Sequence, residues 1–170
     1  MYKHAQIKIV LHVLKTYEER GLTLIELLVV LLMVSVLALI AYPNYINQIG
    51  KARETDAKNY LGAIARSQQA YHWEAQMFAN DFDKLQLYIN TTGSTYYDFP
   101  LPTIATVDLV KHQAVATDPM TYHVKNYAVG VYYDSGKFNI ALCQSYDVDQ
   151  EVNVPDTIND NCTNSGIKLK

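Results

Sequence analysis

Charge is scarce in this chain and unevenly spread. Charged residues make up 18% of 170 positions, below the ~25% usual for soluble domains, so some apolar surface faces something other than water. Between Leu27 and Gly50 there is no charged side chain at all. Cysteine is limited to two residues, too few for a disulfide-dense small scaffold. A basic excess is missing: 14 Lys and Arg stand against 17 Asp and Glu, a net charge of −3. That balance argues against a nucleic-acid binder with a basic face. Hydrophobic residues reach 49%, which excludes wholesale disorder. No G-x-S-x-G, phosphate loop or Cys/His nucleophile pattern occurs. His4, His12, His72, His112 and His123 show no metal-ligand spacing. No enzyme is expected. The length suits one modest globular unit with an appendage.

What the chain does have is one long apolar run. Leu27 to Tyr42 is apolar except for Ser35, and Leu22 to Ile25 extends it. At ~1.5 Å per helical residue the run can cross a ~30 Å hydrocarbon core. No second candidate follows it. Ahead of it, Lys3, Lys8, Lys15 and Arg20 outweigh Glu18 and Glu19, so the positive-inside rule keeps this end cytoplasmic and exports the rest. An ordinary secretory signal would place small residues after its apolar stretch. Here Arg20-Gly21 comes before it. Glu26 sits at the entrance to the hydrocarbon, where a carboxylate is costly and normally has a partner. None is evident within the segment.

The stretch Gly21-Leu22-Thr23-Leu24-Ile25-Glu26-Leu27-Leu28-Val29-Val30 resembles the class III signal of type IV pilins and type II secretion pseudopilins. In that family a membrane aspartyl peptidase cuts after the glycine and N-methylates the new first residue. The resemblance implies a cut between Gly21 and Leu22 with methylation of Leu22. Removing 21 residues and a net +2 from 170 and −3 leaves 149 residues at −5. The family more often has Phe where this chain has Leu22, and the leader here is longer than many. In the family the glutamate of an incoming subunit pairs with the N-terminal amine of a neighbour, which implies a Glu26–Leu22 pairing. Losing one partner of such a buried pair typically costs ~3–5 kcal/mol, while the pair itself adds little net stability, so it specifies stagger more than strength. The alternative is an ordinary signal-anchor helix with an interfacial Glu.

Pro43 removes a backbone donor and crowds the Leu39 carbonyl, so the helix should kink or loosen there. It matches the family's helix-weakening proline, although a plain membrane-exit kink explains it as well. Lys51 to Glu74 is helix-forming. Ala57, Tyr60, Leu61, Ile64, Gln68 and Tyr71 form an apolar stripe, and Lys51, Arg53, Glu54, Asp56, Lys58 and Arg66 form the polar side. A near-continuous helix from Leu22 to Glu74 would be ~80 Å long.

Gln76 to Asp118 reads as an irregular connector with room for a short strand near Thr103 to Leu109. Period-two alternation then begins. Tyr127, Val129, Val131 and Tyr133 form one row, Asp134-Ser135-Gly136 a turn, and Phe138, Ile140 and Leu142 the next buried row, with a further strand at Tyr122 and Val124. Cys143 and Cys162 lie in the exported part, where disulfides persist. A bridge would add roughly 3 kcal/mol in the chain-entropy model and resembles the C-terminal disulfide loop of many pilins. Two reduced, buried cysteines are the alternative. Between them lie Asp147, Asp149, Glu151, Asp156 and Asp160 without a Lys or Arg. Calcium held by Asp147, Asp149 and Glu151 is one reading, and a solvated acidic loop is the other. The fourteen tyrosines fall where packing would place them.

The expected fold is α+β, with a long N-terminal helical spine, its first half transmembrane, against a small antiparallel sheet with a C-terminal disulfide loop. The expected divisions are a leader at 1–21, a transmembrane or filament-core helix at 22–50, an amphipathic helix at 51–74, a connector at 75–120, and the sheet with its disulfide loop at 121–170. Gln68-Gln69-Ala70-Tyr71 and the hairpin ending Cys143-Gln144-Ser145 are most similar to cyanobacterial pilins of the G/H type. The resemblance implies a type IV pilus subunit that sits N-in/C-out in the inner membrane before entering a pilus or periplasmic filament. The implied partners are other pilin subunits, the prepilin peptidase, the inner-membrane assembly machinery and membrane lipid. No cofactor and no direct nucleic-acid binding are expected. A pseudopilin, a minor or competence pilin, and a monomeric signal-anchored periplasmic domain remain as alternatives.

Overall fold

The computed structural model describes residues 23–87 and 95–169. Gly21 and Leu22, the two residues of the expected cleavage site, lie outside them. The apolar run and the amphipathic stretch after it form one helix, α1, Leu24–Ala75. Helical assignment continues through Pro43. Two compact units divide at this point of the chain, one ending at Asn44 and the other starting at Tyr45.

In the second unit α1 buries Ala57, Leu61, Ile64, Ala65, Gln68 and His72. The predicted stripe is therefore present, with one displacement: Tyr60 is exposed, and Glu54, expected on the polar side, is buried. Glu54 earns its place through a backbone partner, accepting a hydrogen bond from the Lys125 amide at 3.1 Å. It also faces two buried tyrosines. Desolvation first, and then the Glu54 charge, push the Tyr97 and Tyr127 phenols well above their ordinary range. Next to it, Arg53 donates to the Tyr122 carbonyl at 3.0 Å and lies over the Tyr96 and Tyr122 rings at 4.5 and 5.1 Å. Gly50 completes this contact. A Cβ there would fall 2.4 Å from the His123 carbonyl oxygen.

The sheet is antiparallel throughout. Its strands are β1, Tyr97–Asp98; β2, Ile104–Ala105; β3, Leu109–Ala116; β4, Tyr127–Asp134; β5, Lys137–Gln144; and β6, Ile167–Leu169. Their order is β1-β3-β4-β5-β6, with β2 pairing β3 as well. The β4–β5 hairpin pairs Asp134 with Lys137. Both residues between them have positive φ, Ser135 at 49° and Gly136 at 86°, as a tight two-residue turn on right-twisted strands requires.

Three expectations need correction. The stretch read as connector contains β3, eight residues long and central to the sheet. Its Lys111-His112-Gln113 interrupts the apolar alternation, yet Lys111 and His112 are buried. Tyr122 and Val124 do not form a strand. A short helix, α2, Pro119–Tyr122, stands there, with the Asp118 side chain accepting from the Thr121 amide and His123 in the left-handed region behind it.

The third correction concerns burial on β5. Phe138 and Leu142 only partly pack against the core, and Ile140 is 47% exposed. The fully buried residues are Ala141 and Cys143. The sheet is covered on both faces, so both rows of β5 meet a core and the alternate row is the more fully buried. One core joins α1 to Tyr97, Phe99, Val110, Val129 and Val131. A second core, on the opposite face, joins Ala128, Tyr132, Ala141 and Cys143 to Val152, Val154 and Cys162 of the C-terminal loop.

Candidate functional site

The start of α1 is built by its own sequence. The Leu27 amide donates to the Thr23 carbonyl, so Thr23 is the N-cap. Its side-chain oxygen accepts from the Glu26 amide at 3.3 Å. Glu26 answers with one carboxylate oxygen, which accepts from the Thr23 amide at 3.0 Å and the Thr23 hydroxyl at 2.9 Å. This reciprocal arrangement is a capping box, which satisfies backbone donors that a helix start otherwise leaves open. The expectation that Glu26 has no partner within its segment is thus corrected. Thr23-x-x-Glu26 before an apolar run was a legible signal for it.

Beyond Glu26 the helix offers no polar side chain until Ser35, whose hydroxyl turns back to the Leu32 carbonyl at 2.8 Å. Every large hydrophobic side chain from Leu24 to Ile40 is exposed, from 41% at Val29 to 82% at Leu24. They cover the helix on all sides. A helix apolar all round is stable only when lipid or other helices surround it. The helix is long and apolar enough to cross a membrane. Pro43 lies near the end of this stretch, where the missing amide leaves the Leu39 carbonyl without its helical donor.

At the other end of the chain, Cys143 and Cys162 form a disulfide with Cα atoms 5.9 Å apart. The bridge fixes the C-terminal loop across the second face of the sheet. Polar contacts complete the hold. Tyr132 donates its hydroxyl to the Pro155 carbonyl at 2.7 Å, Gln113 donates to Val152 at 3.0 Å, and Asn126 donates to Gln150 at 2.9 Å. Burial, then the Asp156 and Asp160 charges, push the Tyr132 phenol up to about 12. Lys111, buried in the sheet, reaches out to Asp156 at 2.6 Å. That contact holds the Asp156 carboxyl below its ordinary range.

The acidic side chains do not converge. Asp147, Asp149 and Glu151 are exposed, Asp156 is engaged by Lys111, and Asp160 accepts from Thr157. Among the described residues no three His, Cys, Asp or Glu side chains gather in a way that would hold a metal ion. The calcium reading therefore has no assembled ligand set behind it.

Comparison with known proteins agrees with this division of labour. A family model described as type IV pilin-like G and H matches residues 54–165. The chain belongs to that family. A second model, the prokaryotic N-terminal methylation motif, matches residues 18–42 of this pilin, which contain Thr23, Glu26 and most of the exposed apolar run. The pilin is also 34% identical over 61 residues to the type IV major pilin protein PilA of Myxococcus xanthus (strain DK1622). That match takes in 36% of this chain and 28% of the relative's length.

Proposed function

We propose that this pilin is the precursor of a type IV pilus subunit. The prepilin peptidase cuts it between Gly21 and Leu22 and methylates Leu22. The mature chain, anchored N-in/C-out in the inner membrane, then enters a filament through its apolar helix with the help of the inner-membrane assembly machinery. It works as a structural part, with no catalytic residue and no cofactor assigned.

One observation carries this reading: a helix sheathed in exposed apolar side chains begins at a lone carboxylate and continues into a separately cored domain. Lipid covers the sheath before assembly, and neighbouring helices cover it afterwards. Transfer from one apolar surrounding to the other changes little hydrophobic energy, so specificity must come from packing and from the polar groups. Cutting before Leu22 creates an ammonium next to the capping box. Glu26 uses one carboxylate oxygen for Thr23, and the second is open to a neighbouring subunit's amine. A charge pair of this kind fixes stagger. Pilus rather than pseudopilus is preferred because the matched relative is a major pilin.

The test is the intact mass of the protein extracted from its native membrane, wild type beside Glu26→Ala. The expected mass for both lacks residues 1–21 and carries one added methyl group, while only the wild type is recovered in sheared filaments. A full-length, unmodified chain in cells with active peptidase would overturn the processing. Normal filaments from Glu26→Ala would overturn the pairing.

A further inference from the structure

The segment that follows α1 is docked on the sheet and the helix by an unusual polar contact. Gln68 is completely buried. Its side-chain amide copies a peptide bond, donating to the Ala79 carbonyl at 2.8 Å and accepting from the Ala79 amide at 2.9 Å. These two bonds fix which end of the amide is nitrogen. The nitrogen also lies 2.9 Å from His112 Nε2. Because the amide nitrogen can only donate, Nε2 must accept, so the His112 proton sits on Nδ1. His112 is buried, and Nδ1 has no hydrogen-bond partner. The ring is thus held neutral, in one tautomer, by a contact that also anchors Ala79.

Adding a proton at His112 Nε2 places a donor against a donor. Rotating the Gln68 amide to offer its oxygen would set its nitrogen against the Ala79 amide and lose both backbone bonds. Either response breaks the anchor. We propose that Gln68 and His112 form an acid-released latch: protonation of His112 frees segment 76–87 from α1 and β3 while the β4–β5 hairpin stays folded. Release would uncover Phe78, Phe82 and Leu85, which are now buried. Among the described residues the remaining backbone ties are two, from Phe78 to the Thr106 carbonyl and from Gln76 to the His72 carbonyl at the end of α1.

The surroundings offer a His112 cation no support. Phe82 packs on the ring at 5.6 Å. The titratable groups on that side of the sheet include Glu54, Tyr71 and His72 on α1, Tyr97 on β1, and Tyr127 and Tyr133 on β4, with Glu54 accepting from the Lys125 amide at 3.1 Å. Of these, His72 is committed to the Val107 carbonyl at 2.8 Å and Tyr127 to Gln144, while Tyr133 stacks on His72 at 4.2 Å. The charged side chains of the segment, Asp81, Asp83 and Lys84, are exposed, as is Glu74. Lys111, beside His112 on β3, points to the other face and its Asp156. Burial alone accordingly lowers the His112 pKa from 6.5 to about 4. A histidine depressed on folding destabilises the closed form as pH falls below its free value. The opening equilibrium should move toward the open form by roughly tenfold per pH unit between those limits.

The experiment is hydrogen exchange by mass spectrometry on the full chain in detergent micelles, from neutral pH to about pH 4, with exchange times corrected for intrinsic rates. Peptides covering 76–87 should lose protection while β4–β5 peptides keep theirs. His112→Gln, which can offer an amide oxygen to Gln68 but cannot titrate, should keep the segment protected. Loss of protection at the same pH in that variant would place the acid response elsewhere, at His72 or in the Lys111–Asp156 pair, and overturn the latch. Proton NMR of the wild type gives a reading that needs no variant. The His112 ring should titrate together with exposure of the Ala79 amide, and a ring that titrates while Ala79 stays protected overturns the proposal.

Discussion

Thr23 and Glu26 share one capping box, yet they should not be equivalent. Replacing an N-cap threonine by alanine costs ~1 kcal/mol of helix stability. That loss should fall on a helix end already supported by lipid. If Glu26 served only the cap, Thr23→Ala and Glu26→Ala would damage assembly alike. With the second carboxylate oxygen paired to a neighbour's amine, Glu26→Ala should abolish filaments, and Thr23→Ala should reduce their yield only a few-fold. Counting sheared filaments from the two variants decides between them. Equal yields would reduce Glu26 to a cap.

The Lys111–Asp156 pair makes a different residue-scale statement, one about pH. Lys111 is buried and Asp156 is 83% exposed, so the contact lets a buried ammonium end in water beside an anion. The Lys111 hydrogen bond and charge lower the Asp156 pKa from its ordinary 3.8. A carboxyl depressed in the folded state contributes stability above its unfolded pKa and loses it as pH falls through its folded pKa. Asp156→Asn should therefore melt at a lower temperature than wild type near neutral pH. The gap should narrow as the pH is taken below about 3.8. Thermal denaturation followed by circular dichroism at several pH values measures it. A gap that stays constant would mean that Asp156 acts through packing rather than charge.

At the scale of elements, two glycines of α1 should respond to alanine with opposite sign. Alanine is worth ~1 kcal/mol more than glycine inside a helix. At Gly62 a Cβ would meet only the Arg66 guanidinium at 3.5 Å, so Gly62→Ala should stabilise by about that amount. At Gly50 the Cβ would lie 2.4 Å from a backbone oxygen of His123, which cannot move without shifting the loop that Arg53 and Glu54 hold. Overpacking of this kind costs ~1–3 kcal/mol and outweighs the propensity gain. Gly50→Ala should lower the denaturation midpoint and Gly62→Ala should raise it. A stabilising Gly50→Ala would mean that the α1–His123 contact is loose.

The elements also differ in how far the chain's own residues announce them. α1 was readable because a charge-free run and a three-and-four spacing are local properties. The β4–β5 hairpin was readable because alternation and Ser135-Gly136 are local too. β3 was not. Lys111, His112 and Gln113 look like a surface stretch until Asp156, Gln68 and Val152, all more than thirty positions away, take up their polar groups. The inward parity of β5 was lost for a related reason. Alternation shows that a strand has two faces, but only the disulfide-bound loop decides that Cys143 faces a core while Ile140 remains exposed. At the candidate site Glu26 stood out as a charge in the wrong place, while its Thr23 partner shows only in the Thr23-x-x-Glu26 spacing of a capping box.

For the whole molecule, the two units carry different kinds of stability. Every residue of both hydrophobic cores lies at or beyond Ala57, and so does the Cys143–Cys162 bridge. The unit from Tyr45 onward thus contains its own folding energy. The apolar part of α1 before it contributes exposed surface and no core. A fragment spanning residues 45–170 should be soluble without detergent and unfold in a single cooperative transition. Its midpoint should lie within a few degrees of that of the full chain, because among the described residues none before Ala57 belongs to either core. It should also remain monomeric at concentrations where the processed full-length subunit assembles, since the surface that needs lipid or neighbouring helices has been removed. Analytical ultracentrifugation and thermal denaturation of the fragment check both statements. A fragment that polymerises would move assembly from the apolar helix to the domain. One that melts without cooperativity would mean that the first half of α1 supports the domain as well as anchoring it.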